Sequence, residues 1–116
     1  MSNKRVVTGA HYGLRDWIGQ RVTAVILALY TLLLLFMVAT SPTLDYGTWA
    51  GLFVSPFMKI ATLLAAFALM YHAWIGTRDI YMDYIQNAGL RLGLQVVTIV
   101  LLVGYALWTV IILWRV

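Results

Sequence analysis

The sequence predicts an all-α membrane protein with three transmembrane helices, and three observations lead to that fold class. Of the 116 residues, 63% are hydrophobic and only 10% are charged, whereas an average soluble domain carries about 25% charged residues. Three apolar runs reach or approach the roughly 20 helical residues that cross a bilayer core of about 30 Å. Single basic residues and turn-forming residues separate these runs. The composition therefore argues against an independent soluble domain and against a self-contained enzyme.

The first helix is predicted over residues 17–40, because residues 22–39 form an apolar run without a charge. Basic residues precede this run, as they would in a signal peptide. However, the run is longer than the roughly 7–15-residue apolar region of a signal peptide, and no convincing small-residue cleavage site follows it. We therefore interpret it as a helix that is retained.

The second and third helices are predicted over residues 57–80 and 90–114. Lys59 and Arg78 mark the limits of the second helix, since long basic side chains can extend from the hydrocarbon to the membrane surface. Pro, Gly and Asp between the first two helices indicate a turn. No linker or repeat divides the chain, so residues 1–116 are interpreted as a single helical membrane domain.

The distribution of basic residues predicts the orientation of the helices. The N-terminal tail and the second loop together hold six of the eight Lys and Arg residues, namely Lys4, Arg5, Arg15, Arg21, Arg78 and Arg91. Because cytoplasmic loops are enriched in Lys and Arg, the N-terminus and the second loop are expected to be cytoplasmic. These residues are scattered singly beside apolar runs, so they indicate topology and not nucleic-acid binding.

His72 lies inside the second predicted helix, about one turn from its cytoplasmic end. Burying an imidazole in a membrane is unfavourable unless a partner engages its nitrogens. One interpretation is a hydrogen bond to another helix; the other is axial ligation of a haem iron, for which Ala73 and Gly76 leave space. A second axial ligand would then come from another subunit, because His11 is expected in the polar tail before the first helix. Met37, Met58 and Met70 are conceivable alternatives for the second axial ligand.

The chain has no cysteine, so disulfides and iron–sulfur ligation in this chain are excluded.

Two of the four carboxylates lie in the second loop, four residues apart. If the helix continues through this loop, Asp79 and Asp83 share a face and Tyr84 lies beside Asp83. A tyrosine hydroxyl can donate to a quinone carbonyl and a nearby carboxylate can relay protons, which suits quinone reduction at the membrane edge. The alternative is a helix extension with ordinary ion pairs. Arg21 is either a topological and interfacial residue or a partner for a haem propionate.

The sequence resembles the smaller hydrophobic membrane-anchor subunit of bacterial succinate dehydrogenase. The stretches that carry the resemblance are RDW at 15–17 leading to RVTA at 21–24, HAWIG at 72–76, DY at 83–84 and LRL at 90–92. Their order and spacing match across nearly the whole chain, and the family has the same three-helix plan. The combination of HAWIG with DY seven residues later is the most specific of these features.

This resemblance implies an anchor of complex II in the bacterial inner membrane, embedded in lipid. In that family the subunit pairs with a second three-helix anchor of the cytochrome b556 type, and the pair holds a b-type haem. An iron–sulfur protein and a flavoprotein dock on the cytoplasmic face, so FAD and the clusters belong to partner subunits. Electrons from succinate oxidation in the tricarboxylic acid cycle then pass to a quinone.

The family roles map onto particular residues of this chain. His72 corresponds to the axial ligand of the haem iron, Tyr84 and Asp83 to the quinone-binding pair, and Arg21 to the residue near the haem propionate. Some members have His where this chain has Arg15, so no role is carried over to that position. One alternative is the anchor of a quinol:fumarate reductase, in which electrons pass in the opposite direction, from quinol to fumarate. The other is a haem-free structural or transport subunit.

Overall fold

The computed structural model describes residues 9–116, with side chains from residue 13 onward. Its elements are α1 (Gly9–Ala39), α2 (Tyr46–Gly51), α3 (Pro56–Tyr84) and α4 (Ala88–Trp114), and this described part of the chain contains no strand. Three of these helices are long and apolar enough to cross a membrane, over Gly13–Ala39, Pro56–Tyr84 and Ala88–Trp114. At about 1.5 Å per residue, each exceeds the thickness of the hydrocarbon core. The predicted fold class is confirmed. Lys4, Arg5 and the side chain of His11 lie outside the described residues.

Two helix boundaries differ from the predicted ones. Helix α1 already includes Gly9, the first described residue and well before the predicted start near residue 17, and α3 continues to Tyr84, past the predicted end near residue 80. Both extensions contain polar residues. The predicted boundaries were based on apolar runs and therefore excluded these residues, but polar residues can be helical outside the hydrocarbon. Position 11, which the sequence placed in a polar tail, therefore lies within the first turns of α1.

Local hydrogen bonds define where the shorter connections end and the helices begin. Ser55 precedes Pro56 at the first position of α3, and its hydroxyl accepts from the Met58 N–H at 3.2 Å. The side-chain oxygen of Asn87 accepts from the Leu90 N–H at 2.9 Å and caps α4. Asp45 caps the short helix α2 in the same manner, accepting from the Thr48 N–H at 2.8 Å.

Helix α3 is the central element, since it packs against both α1 and α4. The neighbouring helices run antiparallel to it. On one side Tyr30 of α1 is hydrogen-bonded to Thr62 of α3 at 2.7 Å. On the other side Tyr81 of α3 is hydrogen-bonded to Thr98 of α4 at 2.8 Å. Because Thr98 donates its own hydroxyl hydrogen to the Leu94 carbonyl, Tyr81 is the donor in that pair.

The chain by itself has very little buried core. Among residues 13–116, four of the five buried hydrophobic residues lie on α3 (Met58, Ala65, Ala68 and Ile75), and large apolar side chains on α1 and α4 are exposed. The accessible surface is 8228 Å², against about 6,400 Å² for a compact soluble monomer of this mass. The radius of gyration of 18.7 Å also exceeds the roughly 13 Å of such a monomer. The exposed apolar faces therefore need lipid or other subunits to cover them.

The two ends of the helix bundle differ in charge. At the end where α1 begins, α3 ends and α4 begins, the described residues include Arg15, Arg21, Arg78 and Arg91. We call this the basic end. At the opposite end Lys59 donates to the carbonyls of Leu113 and Val116 and lies 5.5 Å from the centre of the Trp114 ring. Lys59 thus caps the C-terminal turn of α4, in addition to lying at the start of α3 as the sequence predicted.

Candidate functional site

The imidazole of His72 is held against α1 by a hydrogen bond. Its Nδ1 atom lies 2.9 Å from the hydroxyl oxygen of Thr23. Thr23 is only 7% exposed and is the one polar residue that is buried within the described side chains. The other ring nitrogen, Nε2, makes no hydrogen bond to the described residues and is not buried within the chain. One side of the imidazole is therefore engaged and the other is open to a partner.

A close approach of α1 to α3 makes this hydrogen bond possible. At Gly19, one turn before Thr23, a Cβ atom would lie 2.6 Å from Cε1 and 2.8 Å from the hydroxyl oxygen of Tyr71. Only a residue without a side chain fits there while Tyr71 keeps its place. Further toward the basic end, Gly76 lies beside the Gln20 amide, which would be 3.9 Å from an added Cβ. Small residues on both helices thus bring Thr23 within reach of His72.

A polar cleft of about 280 Å³ opens between α1 and α3 at the basic end. Its polar lining residues are Asp16, Gln20, Arg21 and Asp79. Beside the cleft, the guanidinium of Arg78 forms an ion pair with Asp16 that joins the two helices. The side-chain oxygen of Gln20 is buried and has no hydrogen-bond partner among the described residues. An acceptor in this position calls for a donor from a water, a ligand or another subunit.

Arg21 lies at this cleft but does not reach His72. Its guanidinium stacks over the Trp17 ring at 4.9 Å from the ring centre. Positions 21 and 23 are about 200° apart on a helix, so Arg21 leaves α1 on a different side from Thr23. The structure therefore brings Arg21 together with Asp16 and Asp79, while Thr23 and His72 form a separate pair further along the helices.

The predicted quinone-binding pair lies in the last turn of α3. Because α3 is continuous to Tyr84, Asp79 and Asp83 do share a helix face, as expected if the helix continued. Asp83 is exposed and Tyr84 is 76% exposed. Neither side chain has a hydrogen-bond partner within residues 13–116. Both are available to a ligand or a neighbouring subunit, whereas Asp79 faces the cleft.

His72 lies farther from the end of its helix than the sequence indicated. Twelve residues of α3 follow it to Tyr84, which corresponds to about 18 Å along the helix axis. On α3, His72, Gly76, Asp79 and Asp83 follow one another at helical spacing along one stripe. The stripe connects the imidazole to the carboxylates of the basic end, although the separation excludes direct contact.

Among the described residues, His72 is the side chain that would hold a haem iron. No group of three or more His, Asp or Glu side chains clusters within the described residues, so the chain does not itself assemble a complete metal-ligand shell there. A haem brings four nitrogens and needs one axial ligand from each side. One imidazole with an engaged Nδ1 and an open Nε2 would supply one of these two ligands. The adjacent positions Ala73 and Gly76 are small, as the sequence indicated.

Thr23 and the Asp16–Arg78 pair are functional candidates that the sequence did not single out. The weak signal for Thr23 is a hydroxyl at the start of an otherwise apolar run, two residues beyond the arginine that precedes it. Threonine in a membrane helix usually bonds only to its own backbone, so this signal alone predicts nothing about His72. For the ion pair, Asp16 and Arg78 have opposite charges, but they are 62 positions apart, so the sequence does not indicate that they meet.

Together, three membrane-crossing helices, the near absence of a core and a single engaged imidazole define an integral membrane subunit of a larger assembly. A sequence model for "Succinate dehydrogenase/Fumarate reductase transmembrane subunit" matches residues 1–113. The chain belongs to this family. The resemblance inferred from the motifs is confirmed.

Known relatives are similar to this chain over most of its length. The "Succinate dehydrogenase hydrophobic membrane anchor subunit" of Coxiella burnetii is 38% identical over 102 residues, which cover 88% of this chain and 89% of that protein. The proteins of the same description from Rickettsia felis and Rickettsia conorii are 31% and 34% identical, over 74% and 71% of this chain and 72% and 66% of their own. Membership in this family makes the chain a membrane anchor that works with other subunits.

Proposed function

We propose that the chain is the smaller membrane anchor of a succinate:quinone oxidoreductase in the inner membrane of a bacterium. In this proposal it supplies His72 as one axial ligand of a b-type haem, and a second three-helix anchor supplies the other. Tyr84 and Asp83 form part of a quinone site at the basic end. Succinate oxidation, FAD and the iron–sulfur clusters belong to a flavoprotein and an iron–sulfur protein that dock at the same end, on the cytoplasmic face.

The observation that carries the haem assignment is the state of the His72 ring. An intramembrane imidazole needs a partner for each nitrogen. Thr23 engages Nδ1, and Nε2 is left open toward the outside of this chain. A ligand held by Nε2 would lie between this chain and its neighbour, as a shared haem requires. Bound there, the haem would supply one-electron redox chemistry.

Arg21 has a smaller part in the proposal. Its guanidinium lies at the polar cleft of the basic end and not beside His72. A propionate extending from the macrocycle toward the basic end could meet it there, since guanidinium and carboxylate pair through two hydrogen bonds. The role is therefore electrostatic and depends on the reach of the propionate.

The proposed quinone chemistry uses groups that are already exposed. Tyr84 donates a hydrogen bond to a quinone carbonyl, and Asp83 beside it passes protons from the water at the basic end. Reduction of one quinone takes up two electrons and two protons. In this proposal succinate is oxidised in the partner subunits, and the part of this chain is to hold the acceptor where electrons arrive from them.

A reductase working in the opposite direction is the second candidate, because the description of the matching family covers fumarate reductase subunits as well. The proposed roles of the residues in this chain are the same for both directions of electron transfer. The quinone's potential and the partner subunits set the direction. Rates of succinate oxidation and fumarate reduction by the purified complex, each with ubiquinone and menaquinone analogues, distinguish the two.

The test of the haem assignment is replacement of His72 by Leu in the intact complex. We expect the haem to be lost or its absorption spectrum to change, because one axial ligand is removed. Phe67→Leu on the same helix is the matched control and should leave the spectrum unchanged, because Phe67 is an exposed apolar residue without a ligating atom. Haem content is measured on the purified complex as pyridine haemochrome, and co-purification of a flavoprotein and an iron–sulfur protein reports assembly.

An unchanged spectrum in assembled His72→Leu complex would remove the ligand assignment. A wild-type complex that assembles but contains no haem would favour the haem-free structural subunit instead.

A further inference from the structure

The hydroxyl of Thr23 is a hydrogen-bond acceptor toward His72, as its surroundings show. Its oxygen lies 2.6 Å from the Gly19 carbonyl oxygen and 3.2 Å from the Gln20 carbonyl oxygen. A carbonyl oxygen has no hydrogen, so a separation of 2.6 Å between two oxygens requires the threonine hydrogen to lie between them. A hydroxyl has one hydrogen. Toward Nδ1, at 2.9 Å, Thr23 can therefore only accept.

This direction determines which tautomer of the neutral imidazole the site selects. With Thr23 accepting, the ring hydrogen is on Nδ1, and Nε2 carries the lone pair. The opposite tautomer would place two lone pairs against each other at the buried contact. No water competes there, because Thr23 is 7% exposed. Helix α1 thus dictates which ring nitrogen of α3 is able to bind a metal.

We infer that Thr23 is a positioning residue for the haem iron: its hydroxyl fixes the tautomer and the ring plane of His72 so that Nε2 is presented as the ligand. This inference rests on the proposed function, since it concerns the iron that His72 is proposed to bind. Metal-bound histidines characteristically donate their other N–H to an oxygen, which orients the ring and makes it a stronger donor to the metal. Thr23 has the geometry and burial for that task.

Two predictions about the complex follow from the role of the hydroxyl. Thr23→Val keeps the shape of the side chain but removes the acceptor. The imidazole then becomes a weaker donor, ferric iron is less stabilised and the midpoint potential of the haem should rise. Loss of haem to excess apomyoglobin should accelerate by about 10- to 100-fold if the whole effect falls on dissociation, because removing such a partner usually lowers metal affinity by that factor. Thr23→Ser retains the hydroxyl and should restore wild-type behaviour in both measurements.

Thr62→Val is the matched control. Thr62 makes the other hydroxyl bond between α1 and α3, to Tyr30 at 2.7 Å, and it lies ten residues from His72. If Thr23 only held the helices together, both valine variants would act alike. We expect Thr62→Val to leave the midpoint potential unchanged. Thr23→Ala, which adds no bulk, serves as a second variant should Thr23→Val not assemble.

The potentials are measured by optical redox titration of the purified complex, with low-spin haem resonances recorded by EPR. A raised potential in Thr23→Val or Thr23→Ala, together with wild-type values in Thr23→Ser and Thr62→Val, supports the inference. Wild-type potential and haem retention in an assembled Thr23→Val complex would overturn it, while loss of haem in His72→Leu would still support the proposed function. Equal shifts in Thr23→Val and Thr62→Val would reduce the role of Thr23 to packing. A normal haem spectrum in His72→Leu would overturn both proposals.

Discussion

Breaking the ion pair between Asp16 and Arg78 should loosen α1 from α3 at the basic end. The side chains are 19% and 29% exposed, respectively, so the pair lies between a surface pair and a buried one. Exposed pairs contribute about 0–1 kcal/mol, and removing one partner of a buried pair costs about 3–5 kcal/mol. We expect a coupling energy of about 1–2 kcal/mol between the two side chains.

The two single substitutions should not be equivalent. Arg78→Gln leaves the carboxylate of Asp16 in the less exposed position without its cation. Asp16→Asn leaves Arg78, whose long side chain can turn its guanidinium toward water. Arg78→Gln should therefore destabilise more than Asp16→Asn. The double variant should be destabilised by less than the sum of the two.

Unfolding of the purified anchor by SDS in mixed micelles measures these energies. The chain has no cysteine, so a fluorophore pair can be attached through single cysteines introduced on α1 and α3. Arg91→Gln is the control for net charge, because Arg91 lies at the same end and donates only to the Ile85 carbonyl at 3.5 Å within the described residues. A coupling energy near zero, or an equal effect of Arg91→Gln and Arg78→Gln, would refute the structural role of the pair.

Three further results are expected. Tyr84→Phe should lower quinone reduction by the complex while dye reduction by the soluble subunits persists, with Tyr105→Phe on α4 as control; equal loss of both activities would indicate misassembly. A reporter fused after Val116 should be active only in the periplasm, and cytoplasmic activity would contradict the three-span orientation. The Thr48 backbone N–H, followed by the Thr48 hydroxyl, lowers the pKa of Asp45. The cap on α2 is therefore present above the ordinary pKa of Asp and lost as the pH falls through the lowered value. Acid should release α2, as seen by quenching of Trp49 in a single-tryptophan variant, and Asp45→Asn should abolish this pH dependence.

The apolar runs predicted the three long helices because hydrophobicity along the chain determines membrane crossing without reference to tertiary contacts. The same criterion missed the start of α1, where Arg15 and Asp16 interrupt the apolar pattern although the backbone is helical. It also missed α2, since six residues are too few to show a helical period. The cap formed by Asp45 was the local signal for α2.

His72, Asp83 and Tyr84 could be selected from the sequence because each is a polar residue in an unusual setting. Their partners could not. Whether Thr23 meets His72 depends on how α1 is rotated and how closely it approaches α3, and both follow from the contact of Gly19 with Tyr71. Such a contact between residues about 50 positions apart has no local signature. Residue types alone therefore indicate the candidate ligand but not the group that orients it.

The polar pairs between α1 and α3 change character with distance from the basic end. On α1 they involve residues 16, 23 and 30, seven positions and about 10.5 Å apart, so they lie on one stripe. The first is the ion pair with Arg78, the second is the bond of Thr23 to His72, and the third is the bond of Tyr30 to Thr62. Charge is most costly far from water, and hydroxyl pairs are tolerated there. The His72 imidazole thus lies at a depth between that of the ion pair and that of the pair of neutral hydroxyl groups. At that level a single neutral acceptor satisfies one ring nitrogen, and the other nitrogen has no hydrogen-bond partner among the described residues.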